Sequence, residues 1–258
     1  MLDEIVEKTK HRINDEKKLI PLESIKKQVM DMDISQDFPF RKALATEDIS
    51  IIAEVKRASP SKGVIAEDFD YLEIAKEYES AGASAISVLT EPYFFKGDDK
   101  YLEEISKHTY VPILRKDFVV DEYMIWQAKL LGADAILLIV SILDTVELKK
   151  YLDLAHELGL SAIVEVHDSS EISKALIVGA EIIGVNNRNL KDFSVNIENS
   201  INLRRCVGED VLFISESGIK TKEDITKLKE NNVGAVLIGE TLMKSDDKMA
   251  LISEFKNG

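Results

Sequence analysis

The chain of 258 residues reads as an α/β protein, a (β/α)8 barrel with an N-terminal helical extension. Three observations predict this. Short apolar runs alternate with amphipathic stretches, glycines recur where a stretch gives way to a run, and the length suits one barrel of roughly 250 residues. Residues 1–258 are expected to form one domain, with 1–45 as the extension.

The apolar runs are Ile51–Lys56, Ala83–Leu89, Val111–Lys116, Ala133–Val140, Leu160–Val166, Glu181–Val185, Val211–Ser215 and Gly234–Gly239. Each is rich in Ile, Val, Leu and Ala and bounded by Gly, Asp, Asn or Ser, which marks strands buried on both faces. The stretches between them have helical spacing. Leu148, Leu152 and Ala155 share one face, as do Ile125, Ala128 and Leu131. Asp121, Asp144, Asp168 or Ser169, and Thr221 stand where N-caps belong. Gly82, Gly132, Gly159 and Gly179 each lead from a helix into a strand, because glycine takes the left-handed backbone at a helix end cheaply. Eight such units favour a closed barrel over an open sheet. The G-x-G-x-x-G fingerprint usual after the first strand of an open nucleotide-binding sheet is absent.

The extension carries two helical patterns. Leu2, Ile5, Val6, Thr9 and Ile13 form one face, and Leu19, Leu22, Ile25 and Val29 another, with Pro21 suited to the first turn of the second helix. A plug sealing the barrel floor and a flap over the active site are both compatible with this pattern.

Composition narrows the functional classes. A net charge of −14 argues against nucleic acid or an anionic membrane as partner. The single cysteine, Cys206, excludes an internal disulfide and a multi-cysteine zinc site. No run approaches the ~20 apolar residues of a membrane span, and the amphipathic start lacks a signal-peptide core, so a cytoplasmic protein is expected.

Barrel enzymes place their chemistry at the C-terminal ends of the strands. There the sequence offers Glu54 and Lys56, then Ser59; Lys116 and Phe118; Glu165 and His167; Asn186, Asn187 and Arg188; Glu216, Ser217 and Gly218; and Gly239 and Glu240. Glu54 and Lys56 lie two apart and so share a strand face. Ionised groups in apolar strands cost several kcal/mol unless paired or functional, so two lysines and these acids point to a charged cavity. Blander readings stand beside this one. The lysines could snorkel to water, Glu54 could pair structurally, and the asparagines could make turns. The four histidines lack metal-ligand spacing and read as solvated or core residues. Phe94, Phe95 and Phe118 suit a binding wall and a packed loop equally. Gly218 and Gly239 open the two loops that often cradle phosphate in such barrels.

The ordered series Ile52–Ser61, Leu114–Phe118, Glu165–His167, Gly184–Leu190, Ser215–Ile219 and Leu237–Met243 resembles the indole-3-glycerol-phosphate synthase family over essentially the whole chain. The resemblance implies a carboxy-lyase of tryptophan biosynthesis that closes, decarboxylates and dehydrates 1-(2-carboxyphenylamino)-1-deoxyribulose 5-phosphate without metal or organic cofactor. It also implies roles. Lys116 is the general acid on the ribulose carbonyl. Glu165, assisted by Glu54, handles protons in the dehydration, and Lys56 holds carboxylate and phosphate charge in reach, with a proton shuttle as its alternative role. Arg188, Asn186, Glu216 and Ser217 orient the substrate, while Phe95 and Phe118 line the anthranilate pocket. Lys56, Ser59, Gly218, Gly239 and the backbone of Glu240 hold the phosphate. At position 240 a serine is common in the family, and a carboxylate cannot donate to phosphate, so its side chain must turn away. The expected partner is a phosphorylated small molecule, with the protein a monomer open to association with other tryptophan-pathway enzymes. The competing readings are a Schiff-base aldolase or other sugar-phosphate barrel enzyme, and a phosphate-ligand binding module without turnover.

Overall fold

The computed structural model describes residues 1–189 and 193–257. Leu190, the last residue of one of the motifs above, lies outside them. Eight parallel strands close into a barrel in the order β1 (Ser50–Val55), β4 (Ala85–Leu89), β5 (Ile113–Lys116), β6 (Ala135–Ile139), β7 (Ser161–Val166), β8 (Ile182–Asn186), β9 (Leu212–Glu216) and β10 (Ala235–Ile238). Closure is made by the pairing of β10 with β1, Ser50 opposite Ala235 through Ala53 opposite Ile238. All eight expected strands form. A short antiparallel hairpin, β2 (Ala58–Ser59) with β3 (Gly63–Val64), follows the first and has no counterpart in the sequence reading.

The outer ring consists of α4 (Tyr71–Ser80), α5 (Asp99–His108), α6 (Glu122–Leu130), α7 (Thr145–Glu157), α8 (Ser169–Ile177), α9 (Glu198–Arg204), α10 (Lys222–Glu230), α11 (Glu240–Met243) and α12 (Lys248–Lys256). Asp121, Asp144, Asp168 and Thr221 cap their helices by accepting backbone N–H bonds, those of Asp144 and Thr221 as reciprocal capping boxes. Gly82, Gly132, Gly159 and Gly179 all have φ between 68° and 85°, the left-handed turn each helix-to-strand joint requires.

Alternation along the strands separates two apolar regions. Outward residues such as Ile51, Ala53, Ile86, Val88 and Ile136 pack under the helices. Inward residues Ile52, Ala85, Leu114, Ala135, Ile163, Ile182, Ile214 and Ala235 fill the barrel. That filling ends at the strand starts against Phe40 and Leu44 of α3 (Pro39–Leu44), which are 0% and 1% exposed.

The extension therefore does two things. Its third helix plugs the floor. Its first, α1 (Leu2–Leu19), buries Ile5, Thr9 and Ile13 and brings Met1, Leu2 and Ile5 to the opposite end, where the strands finish. Helix α2 (Leu22–Met30) packs Ile25 and Val29 toward α6. One expectation fails: Leu19 does not belong to the second helix face. It is the last residue of α1 and 83% exposed, because the chain turns at Ile20 and Pro21 before α2 begins.

Candidate active site

Along four strands, an inward apolar residue is followed two positions later by an inward charged one. Ile52 leads to Glu54, Leu114 to Lys116, Ile163 to Glu165 and Ile214 to Glu216. Strands β1, β5, β7 and β9 alternate round the ring, and alternate strands supply one layer of a barrel interior. The uppermost layer is thus three carboxylates and an ammonium, set above an apolar floor. It faces a cavity of about 650 Å³ at the C-terminal ends of the strands. All fourteen site residues expected from sequence line that cavity.

Lys116 sits between two acids. Its Nζ donates to Glu216 Oε2 and lies 3.7 Å from Glu165 Oε2. Burial alone would depress its pKa, but Glu216, Glu165 and Glu54 together push it above the usual lysine value. Lys116 is therefore a charged ammonium at neutral pH. Burial acts the opposite way on Glu216, raising its pKa; Lys116 opposes this, and the neighbouring Glu165 reinforces it. Oε1 of Glu216 is buried where a Cβ on Gly184 would stand and, among the described residues, has no hydrogen-bond partner.

Lys56 pairs with Glu54 at 2.6 Å, as their shared strand face requires. Ser87 Oγ on the adjacent strand donates to the other oxygen of Glu54 at 3.5 Å. Gly239 keeps the space open, because a Cβ there would meet both Glu54 Oε1 and Lys56 Nζ.

Asn186 links the acid layer to the loop after β9. Its Oδ1 accepts from Ser217 Oγ and from the Arg188 backbone N–H, both at 3.0 Å, so its Nδ2 is turned to Glu165 Oε2 at 3.5 Å. Ser217 and Gly218 are successive residues with φ of 70° and 89°. A side chain tolerates that conformation poorly, and such strain concentrates at functional loops. Asn187, its neighbour, is scaffolding: it donates to Ser215 Oγ and the Ser217 carbonyl and accepts from Ser200.

The aromatic pair divides its duties. Phe95 faces the cavity with Phe118, ring centroids 6.0 Å apart and planes inclined by 36°. Phe94 instead lies beneath Lys8 of α1, 4.9 Å from its Nζ. Buried Glu91 fixes this loop by accepting the backbone N–H groups of Tyr93, Phe94 and Phe95. At the rim the Glu240 carboxylate takes Lys244 at 2.7 Å and Arg188 at 3.8 Å. Burial raises its pKa, but Lys244, Lys62 and Arg188 outweigh that and lower it.

A family model described as indole-3-glycerol phosphate synthase matches residues 2–255. The chain belongs to the indole-3-glycerol phosphate synthase family. An indole-3-glycerol phosphate synthase of Lachnoclostridium phytofermentans is 53% identical across 100% of this chain and 99% of its own length. That of Ruminiclostridium cellulolyticum is 49% identical across 99% and 98%. A solved 3-hexulose-6-phosphate synthase from Salmonella typhimurium superposes with a TM-score of 0.65 at 14% identity, covering 81% of this chain and 97% of that one. That last likeness is one of fold alone. Membership of the indole-3-glycerol phosphate synthase family makes the chain a carboxy-lyase of tryptophan biosynthesis.

Sequence reasoning missed several residues at the site. Lys62 and Lys244 bring cations to the rim, and Leu137 and Ile139 of β6 supply its apolar wall. Lys62 stood in the loop after the first strand, so position alone was a signal for it. The approach of α1 to the cavity answers to the flap that the sequence left open beside a plug.

Proposed function

We propose that this indole-3-glycerol phosphate synthase uses the charged layer as follows. The substrate's phosphate lies near Lys56, Ser59, Gly218, Gly239 and the Glu240 backbone, and its anthranilate ring rests between Phe95 and Phe118. Arg188, Asn186, Glu216 and Ser217 hold the connecting chain. Anchoring both ends brings the aromatic carbon bearing the carboxylate against the ribulose carbonyl, which is the entropic part of the catalysis.

Attack forms the carbon–carbon bond and places negative charge on the carbonyl oxygen. The Lys116 ammonium stabilises that oxyanion in a site screened from water, then protonates it. Loss of carbon dioxide restores the aromatic ring. Glu165, with Glu54 assisting, moves the protons by which hydroxide leaves as water. The Glu240 carboxylate, occupied by Lys244 and Arg188, leaves only its N–H for the phosphate.

One observation carries this reading over a Schiff-base mechanism. Lys116 is held as an ammonium between Glu216 and Glu165, whereas an amine nucleophile requires a depressed pKa. The chain is proposed to act as one unit, extension included, in the cytoplasm and as a monomer open to other enzymes of its pathway. Among the described residues no helix is long and apolar enough to cross a membrane. Incubation with the synthetic precursor, followed by ultraviolet fluorescence, should show indole glycerol phosphate accumulating. Binding without turnover, or a lysine adduct trapped by borohydride, would overturn the reading.

A further inference from the structure

His167, one residue past β7, is not among the side chains that line the cavity. It stands behind Glu165, and its ring is fixed from both sides. Glu171 of α8 accepts the His167 backbone N–H at 2.7 Å, and the same carboxylate oxygen lies 3.3 Å from ring Nδ1. A carboxylate only accepts, so Nδ1 carries a proton. The other nitrogen, Nε2, is buried, has no hydrogen-bond partner among the described residues and lies 3.7 Å from Glu165 Oε1. Were that ring neutral, Nε2 would turn a lone pair on a carboxylate. A proton on Nε2 removes the conflict.

We propose that His167 is a positioning residue: an imidazolium clamped by Glu171, whose Nε2–H faces Glu165 and holds that carboxylate aimed at Lys116. The proposal deepens the reading of Glu165 as the proton-handling acid and rests on it. Glu165 Oε1 then answers to His167, while Oε2 answers to Lys116 and Asn186.

The charges around the ring agree. Glu165 of β7, Asp168 and Glu171 at the start of α8 and Glu216 of β9 are its acidic neighbours, and Lys116 of β5 is the one cation of the layer close by, held by Glu165 and Glu216. Burial pulls the imidazole pKa down, but Glu171 and Glu165 outweigh it, and the balance is upward. From α9, Asn199 donates to the His167 carbonyl at 3.2 Å and steadies the backbone.

The ring can be read without substrate, by nitrogen-15 NMR of the imidazole. Both ring nitrogens of His167 should be protonated at pH 7, and Glu165→Gln should lower its titration midpoint by about one unit, as loss of an adjacent anion does. A neutral ring at pH 7, or a midpoint indifferent to Glu165→Gln, would overturn the proposal. In the activity arm, His167→Gln should lower kcat with KM and melting temperature unchanged, since Glu165 loses the group that aims it at Lys116. A fall in kcat accompanied by a rise in KM and a loss of stability would mean that His167 only braces the backbone. Coupled titration in an enzyme that makes no indole glycerol phosphate would sink the functional reading and leave the ion pair standing. Turnover with uncoupled titration would do the reverse.

Discussion

Arg12 of α1 reaches across 2.8 Å to Asp117, the residue lying between Lys116 and Phe118, and so ties the extension to the catalytic rim. Asp117 is fully buried. The same Oδ2 accepts Thr90 Oγ1 at 2.8 Å, and Oδ1 accepts the Phe118 backbone N–H at 2.8 Å. Arg115, also buried, backs the cluster through Asp99 at 2.7 Å and Gln127 at 2.8 Å. The strand end that carries Lys116 is thus held from outside the barrel while the lysine tip faces the cavity inside.

Arg12→Ala should cost about 3 kcal/mol, the low end for breaking a buried pair, because Arg115 remains 3.8 Å from the orphaned oxygen. Urea unfolding measures it. Burial raises the Asp117 pKa, but Arg12 and Arg115 more than offset this and lower it. Its stabilising contribution is therefore present above the ordinary carboxylate value and lost as pH falls through the depressed one. Removing Arg12 raises the folded value, so acid unfolding should begin at a higher pH in the variant. An unchanged acid transition would show that Arg115 alone holds the carboxylate.

Lys116→Ala should lower kcat by at least ~10²-fold, the magnitude of a positioned general acid, with a much smaller change in KM. Steady-state fluorescence kinetics decides it. Near-normal turnover would remove Lys116 from its proposed role.

Gly239→Ala tests the open space over the Glu54–Lys56 pair. The backbone φ of −115° suits alanine, so stability should hardly change. The added methyl would meet Glu54 Oε1, and Lys56 Nζ at 3.0 Å, forcing both aside. Displacements of this size cost up to ~10²-fold, so kcat/KM should fall by about 10- to 100-fold while the melting temperature holds.

Phe40→Ala should separate the floor from the chemistry. Phe40 is 0% exposed and closes the barrel opposite the cavity, so its loss should cost about 3–5 kcal/mol. Measured well below the variant's melting temperature, kcat should stay close to wild type. A large fall in kcat there would mean that the plug also sets the geometry of the charged layer.

Much of this was legible from neighbours along the chain. The left-handed glycines at 82, 132, 159 and 179 announced the joints, and Asp121, Asp144 and the choice of Asp168 or Ser169 announced the caps, because both act within a few residues; the structure takes Asp168. The Glu54–Lys56 pair followed from strand alternation alone. Leu19 was misjudged for the converse reason: a helical face drawn across Ile20 and Pro21 ignored the turn between two helices. The choice between plug and flap could not be made locally, since different helices of the extension reach opposite ends of the barrel.

The pattern of apolar and polar residues by itself determined the strands, the helices and the end of the barrel where charge would collect, since periodicity and turn chemistry are short-range. Only closure of the ring decided which charges meet. Lys116 finds Glu216 a hundred residues away, and Arg12 finds Asp117 across 105. Those partnerships depend on side chains brought together in space, and spacing along the chain carries no record of them.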